Sequence, residues 1–567
     1  MINKSKKALY TLIAVAVVSA LTGCDSIRSG KGDWKTIEQV FAEAPDSIQT
    51  SVYWYWISDN LSKEGVVNDL HAMKKVGINR AFIGNIGLDD LPGGGYGKVK
   101  IFTDEWWDIL HTALKTATEL GIDIGIFNSP GWSQSGGPWV KPDQAMRYLA
   151  ATDTLVKGPA KFTGSLRLPP GDFQRLKTLA FRTPRDYGKS MADLQPEATA
   201  DFAGQPLGNL FDKDRHTEVA LPSGTKSTIS LSVADAFTAR SLTIYPARRN
   251  MAFDVTLEAM RNGAFEPVKS FRLDRTNNAL NVGFEPYAPV IVSFDAVESN
   301  VFRFVFDKTV GNAGIAEIEL SATPRVERFK EKSLVRMHPT PLPYWHDYQW
   351  ERQAEPEDAL FTVVPSDVRD ITPQVSAAGE LTWDVPEGSW TILQTGMLPT
   401  GVTNAPASPE GTGLEVDKMN HEHVLRHFDA FLGEILRRIP EADRKTFKVA
   451  VQDSYETGGQ NWTDGFEDKF KQTFGYDPTP YIPVFYGHVV GSQDQSDRFL
   501  WDVRRFVADK VAYEYVGGLR DVSHKHGLTI WLENYGHWGF PGEFLQYGGQ
   551  SDEIGGEFWS EGELGDI

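Results

Sequence analysis

Apolar residues follow two rhythms along this chain, and the rhythm changes twice. Near the N-terminus, short β-rich runs alternate with amphipathic stretches. Ser51–Ile57 reads SVYWYWI, a run of aromatic and β-branched residues that predicts a strand. The spacing of Val66, Leu70 and Met73 predicts a helix over 62–76, ended by Gly77. AFIGNI at 81–86 predicts a second strand. A second helix is expected over Asp104–Leu120, with Thr103 as its N-cap, Gly121 at its end, and Trp107, Leu110 and Leu114 as its apolar stripe. DIGIFN at 123–128 predicts a third strand. Strands alternating with helices imply a parallel sheet covered by helices.

From 151 to 400 the helical stripes give way to short alternating runs. SLTIYPA, FDVTLEAM and VFRFVFD are bounded by Gly, Pro, Asn and Asp, the pattern of antiparallel sandwiches. The centre, 200–322, opens on LFDKDRHTEVAL and closes on AGIAEIELSA, and it resembles a discoidin-type, carbohydrate-module-like jelly roll. The flanks, 151–199 and 324–400, are expected to form a second sandwich around it. After 400 the first rhythm returns. A helix is expected over 421–438, striped by Val424, Phe428, Phe431 and Ile435, then a strand over 447–454. A long helix is expected over 497–526, striped by Leu500, Val503, Val507 and Val511, then a strand over 528–534. IGGEFW at 554–559 opens another strand. Three strands precede the insertion and three follow it, whereas a closed (β/α)8 barrel needs eight. The expected fold is therefore α/β, a TIM-type barrel that is incomplete at its C-terminus and interrupted by antiparallel β-sandwich domains.

The N-terminus adds an address. Lys4, Lys6 and Lys7 precede an apolar run over 8–21 that is too short for a good membrane span and reads as a signal peptide. It ends in Leu21-Thr22-Gly23-Cys24, which resembles the bacterial lipobox. Cys24 is the single cysteine of the 567 residues, so it has no disulfide partner within the chain. The expected map is a signal peptide at 1–23, a lipidated Cys24 with a tether at 24–33, a first barrel segment at 34–150, the insertion at 151–400 and a second barrel segment at 401–567. The protein is expected on the bacterial cell envelope, anchored by lipid. A formal charge of -19 repels nucleic acid and anionic membranes, which sets nucleic acid aside as a partner. The sixteen Trp residues suit sugar stacking but equally suit core packing, so composition alone leaves the substrate open.

In parallel barrels the chemistry sits at the carboxyl ends of the strands. Those ends carry Trp54 and Trp56, then Asn128 and Trp132, then Glu456 with Asn461 and Trp462, then Glu533, Asn534, His537 and Trp538, and last Glu557. Carboxylates move protons, amides bind hydroxyls and aromatics pack on ring faces, so this set matches a sugar pocket. Glu456 is the candidate acid, and Glu533 and Glu557 are candidates for its catalytic partner. No His/Cys cluster has zinc spacing. Gly93-Gly94-Gly95 lacks the spacing of a phosphate loop.

Five segments now carry a resemblance. VYWYWISDNLSKEGVVNDLHAMKKVGI, FNSPGWSQSGGPWVKPDQAM, GTGLEVDKMN, DSYETGGQNWT and ENYGHWGFPGEFLQYGG are similar to family 106 glycoside hydrolases. These are α-L-rhamnosidases with an interrupted catalytic barrel and accessory β-domains. The resemblance implies removal of terminal α-L-rhamnose from glycan side chains by inversion, with a calcium ion helping to hold the sugar. It does not single out the calcium ligands in this chain. Family members are usually longer, so a catalytic base beyond residue 567 stands beside Glu557 and Glu533. Another barrel glycosidase, β-galactosidase-like, and a non-catalytic glycan-binding envelope lipoprotein are the alternatives.

Overall fold

The computed structural model describes residues 34–43, 48–89, 95–133, 135–204, 206–277, 281–336, 353–534 and 540–556. The expected signal peptide, Cys24 and the tether lie outside the described residues, as do His537, Trp538 and Glu557.

The first units are β1 (Ser51–Ile57), α1 (Lys63–Val76), β2 (Arg80–Ile86), α2 (Asp104–Leu120) and β3 (Asp123–Phe127). Their boundaries follow local chemistry. The Ser62 hydroxyl accepts from the Gly65 amide at 3.0 Å to start α1, and Gly77 ends it at φ 83°. Thr103 caps α2 and Gly121 closes it at φ 67°. The buried stripe of α2 is Trp106, Ile109, Leu110, Ala113 and Leu114. Trp107, expected on that stripe, is only partly buried. Its neighbour Trp106 turns inward instead and donates to the Asn85 side chain on β2 at 3.1 Å.

The chain then runs through β4 (Arg147–Ser165) and β5 (Gln174–Arg182) into the central module. That module holds β6 (Glu197–Ala200), β7 (Val219–Ala220), β8 (Ser227–Pro246), β9 (Ala252–Arg261), β10 (Ala264–Asp274), β11 (Val290–Val310) and β12 (Gly314–Ser321). The order is β10-β9-β11-β8-β12-β7, with β6 on β8, and the pairing is antiparallel throughout. Alternate residues such as Phe253, Leu257, Phe302, Phe304 and Ile318 fill a core of its own. The chain returns as β13 (Arg369–Asp370) and β14 (Glu380–Pro399). These pair with the first two insert strands in the order β13-β5-β14-β4. The flanks thus make one four-stranded sheet where a two-layer sandwich was expected. One face of it, with Leu149, Leu179, Phe181, Leu393 and Met397, packs into the core of the parallel sheet and its helices, so that core stands in for a second layer.

The helical rhythm resumes with α3 (His421–Phe428) and α4 (Glu434–Arg438), joined by a π-turn, and then β15 (Phe447–Gln452). Val424, Phe428, Phe431 and Ile435 are all buried, as their spacing predicts. α5 (Phe466–Phe474) was not expected from the pattern. α6 (Gln493–Lys510) starts after the Ser492 cap, earlier than expected, and a π-turn separates it from α7 (Gly517–Lys525). β16 (Thr529–Glu533) and β17 (Glu553–Gly555) complete the set.

The fold is mixed α/β. Its parallel sheet has the order β1-β2-β3-β15-β16-β17, so β15 follows β3 in space although the whole insert lies between them in sequence. The sheet is strongly curled. Four strand spacings of about 4.8 Å would put β1 and β16 about 19 Å apart in a flat sheet. The rings of Tyr53 on β1 and Trp531 on β16 instead meet at 5.9 Å, edge to face. Arg80 on β2 reaches Glu553 on β17 at 2.7 Å, again four strands away. Among the described residues β1 and β17 are the edges of this sheet.

Candidate active site

Inside the curl, β1 presents Tyr53 and Tyr55, two residues apart and hence on one face. Their rings stack at 5.4 Å, and Tyr55 stacks in turn on Trp132 at 6.0 Å. Trp132 lies in the loop after β3. Its indole N–H donates to Oε2 of Glu456 at 3.2 Å, and the Ser454 hydroxyl donates to Oε1 at 3.0 Å. Glu456 lies just beyond the carboxyl end of β15 and is partly buried. An aromatic column therefore runs along the inside of the sheet and ends on a carboxylate held by two donors.

Two further acids stand at the strand ends. Asp453 accepts from the Tyr53 hydroxyl at 2.8 Å. Glu533, the last residue of β16, is buried. Although Tyr53 keeps 40% of its surface exposed, the protein packed around its phenol, and then the carboxylates of Asp453 and Glu533, raise its pKa well above the ordinary value, so the phenol stays protonated and donates. The sequence places Tyr53, Tyr55 and Asp453 at strand ends but does not single them out as site residues. Period-two alternation shows that Tyr53 and Tyr55 share a face, but not which face turns inward.

The other face of β1 holds the residues that were expected at the site. Trp54 donates to Asp69 of α1 at 3.0 Å, and Trp56 packs edge to face on Trp54 and Trp106. Both are buried in the helix-side core. Trp462 is buried and stacked on Phe466 at 3.9 Å. Asn461 accepts from the Leu149 amide at 2.9 Å and donates to the Ser333 carbonyl at 2.7 Å, tying the insert to the parallel-sheet unit. Asn128 donates to the Val451 carbonyl at 3.1 Å, and its amide oxygen lies 3.0 Å from Nε2 of His427. Burial, with Lys418 nearby, pushes His427 down to about 3, so the ring is neutral. Its Nδ1 accepts from Trp139 at 3.1 Å, which leaves Nε2 to donate. Asn128 thus holds β3 to β15 and the loop above them. Asn534 follows β16, and its side chain packs on Gly548, where a Cβ would meet it at 2.9 Å. Of the expected residues that are described, the structure joins Glu456 and Trp132 directly. Glu533 stands at the neighbouring strand end.

A segment before α3 braces these loops. Lys418 and Glu415 form an ion pair at 2.6 Å with both side chains fully buried. Burial pushes Glu415 up and Lys418 down, each toward its neutral form, and their mutual attraction opposes this.

Asp417, His423 and Asp464 each place one ligand atom within 4.8 Å of the others, and this group could hold a metal ion. Arg147 lies between the two acids, at 2.9 Å from Asp417 and 2.7 Å from Asp464. Although partial burial works the other way, hydrogen bonds from His423 and Arg147 hold the Asp464 carboxyl well below the usual range.

A family model described as alpha-L-rhamnosidase, that of glycoside hydrolase family 106, matches residues 42–567. A solved rhamnosidase from Novosphingobium sp. PP1Y aligns with a TM-score of 0.76 at 29% identity, over 91% of this chain and 49% of that one. A Formosa agariphila protein named "Putative beta-glucuronidase" is 27% identical over 527 residues, which is 93% of this chain and 32% of that protein. The chain therefore spans half or less of the length of these relatives.

Proposed function

Because the chain belongs to glycoside hydrolase family 106, the α-L-rhamnosidase family, we propose that its strand-end site removes terminal α-L-rhamnose from polysaccharide or oligosaccharide side chains, with Glu456 as the general acid. The observation that carries this reading is the Trp132–Glu456 contact at the head of the aromatic column. A carboxylic acid aimed at the leaving oxygen, beside an apolar wall for the sugar, is the minimum such a reaction needs. The reaction is read as inverting, with a second carboxylate activating water on the opposite face of the ring. Glu533 or Glu557 is the candidate for that base. The curl of the parallel sheet supports a (β/α)8-type barrel as the frame.

The name carried by the Formosa protein raises a second reading, a β-glucuronide substrate. Asp453, Glu456 and Glu533 disfavour it, because they would repel a uronate carboxylate, whereas rhamnose is a neutral 6-deoxy sugar. The test is whether the protein releases rhamnose, and not glucuronic acid, from matched glycosides.

Family resemblance also implies calcium. Calcium takes six to eight oxygen ligands. The Asp417–His423–Asp464 group offers two carboxylates and an imidazole, and Arg147 already neutralises the acids. This set fits calcium poorly, because one of its three groups is an imidazole and its acids are already paired with Arg147.

The lipobox-like stretch supports a lipid anchor at Cys24 on the cell envelope. Cys24→Ala should move the protein from the membrane to the soluble fraction with its fold intact, because only the acyl chains are lost. Retention on the membrane, checked by fractionation and immunoblot, would reject the anchor.

A further inference from the structure

We propose that the buried Glu415–Lys418 pair is a clamp that sets Trp132 against Glu456, acting as a positioning device for the acid. The inference rests on the rhamnosidase reading for its catalytic meaning, but the clamp itself is a matter of geometry.

The pair touches both loops whose tips meet at the site. On one side, Glu415 accepts from the Ser135 amide at 3.1 Å and from the Ser133 hydroxyl at 3.4 Å. Ser133 Oγ also accepts from the Ala405 amide at 2.7 Å. The amides of Trp132 and Ser133 donate in turn to the Ala405 carbonyl, at 3.1 Å and 2.9 Å. Glu415 therefore holds the backbone next to Trp132. On the other side, the Lys418 ammonium lies 5.7 Å from the ring centre of Tyr455, the residue before Glu456. The Tyr455 hydroxyl donates to the Gly458 carbonyl at 2.7 Å, fixing the turn that carries Glu456. The Lys418 amide donates to Gln460 at 2.9 Å, further along the same loop. The 2.6 Å ion bond thus links a carboxylate hydrogen-bonded to the loop after β3 with an ammonium that faces the Tyr455 ring in the loop after β15.

Burying two charges is expensive, and replacing such a pair with apolar residues of similar size is often neutral or stabilising. Bulk stability therefore does not account for the pair, whereas a directional link between two loops does.

The experiment uses the protein labelled with 5-fluorotryptophan, with the Trp132 resonance identified by its loss in Trp132→Phe. Glu456→Gln should shift that resonance. Glu415→Gln/Lys418→Met removes both charges and keeps the shape. In this folded variant the Trp132 resonance should broaden or move toward its position in Glu456→Gln. Turnover of a glycoside with a poor leaving group should fall about tenfold, and less with an activated one. Ser133→Ala cuts one side-chain link of Glu415 without exposing a buried charge. It should move the resonance in the same direction, and it keeps the test available if the double variant fails to fold. A Trp132 resonance unmoved in folded Ser133→Ala or in the folded double variant overturns the clamp. Because the resonance is read without turnover, a wild-type protein that cleaves no rhamnoside would sink the functional reading and leave this result standing.

Discussion

Glu456→Gln should lower kcat by about 10²–10⁴-fold, the range that general acid–base catalysis typically contributes. The variant keeps the side-chain volume, and its one amide oxygen can accept from Trp132 while its NH2 donates to the Ser454 hydroxyl, so rhamnose binding should hold. What it loses is a proton to give. The loss should therefore track the leaving group. A natural glycoside, whose departing oxygen needs protonation, should suffer the full factor. A nitrophenyl glycoside should suffer much less. Steady-state kinetics on both substrates checks this. If both lose equally, Glu456 orients water or a hydroxyl, and the acid assignment fails.

Lys418→Met alone should destabilise the protein by about 3–5 kcal/mol, the cost of leaving a buried charge without its partner. Both side chains are 0% exposed, so water cannot replace the ammonium at Glu415 without the loops opening. Adding Glu415→Gln should recover most of the loss, because the orphaned charge is then gone. Urea unfolding of the single and double variants measures both values. A single-variant loss under about 1 kcal/mol would show that Glu415 is neutral or that water reaches it.

Much of the frame is legible in residues read locally. The Thr103 cap, the Gly77 and Gly121 stops and the stripe Val424-Phe428-Phe431-Ile435 work through contacts within a few positions, and the structure keeps them. The chemistry of the site is less legible, because it depends on partners far along the chain. Which face of β1 turns inward is set by Phe82, Phe127 and Trp531, so Tyr53 and Tyr55 line the curl while Trp54 and Trp56 go to the helices. Asn461 and Trp462 follow a strand, as site residues do, but meet Leu149, Ser333 and Phe466 and serve as struts. Glu415 and Lys418 carry no local sign of burial in the sequence. Only the fold shows them dry and paired. The flanking sheet lacks a second layer for the same reason: its partner surface is the core of the parallel-sheet unit, far away in sequence.

Inverting hydrolysis of a terminal α-L-rhamnoside is the reaction proposed for the Glu456 site. Proton NMR during the first minutes of nitrophenyl α-L-rhamnoside cleavage tests it most directly, because the anomeric signal of the released sugar is read before mutarotation scrambles it. β-L-Rhamnose is expected as the first product, with a matched β-D-glucuronide left intact. α-L-Rhamnose appearing first, or glucuronic acid in place of rhamnose, would contradict it.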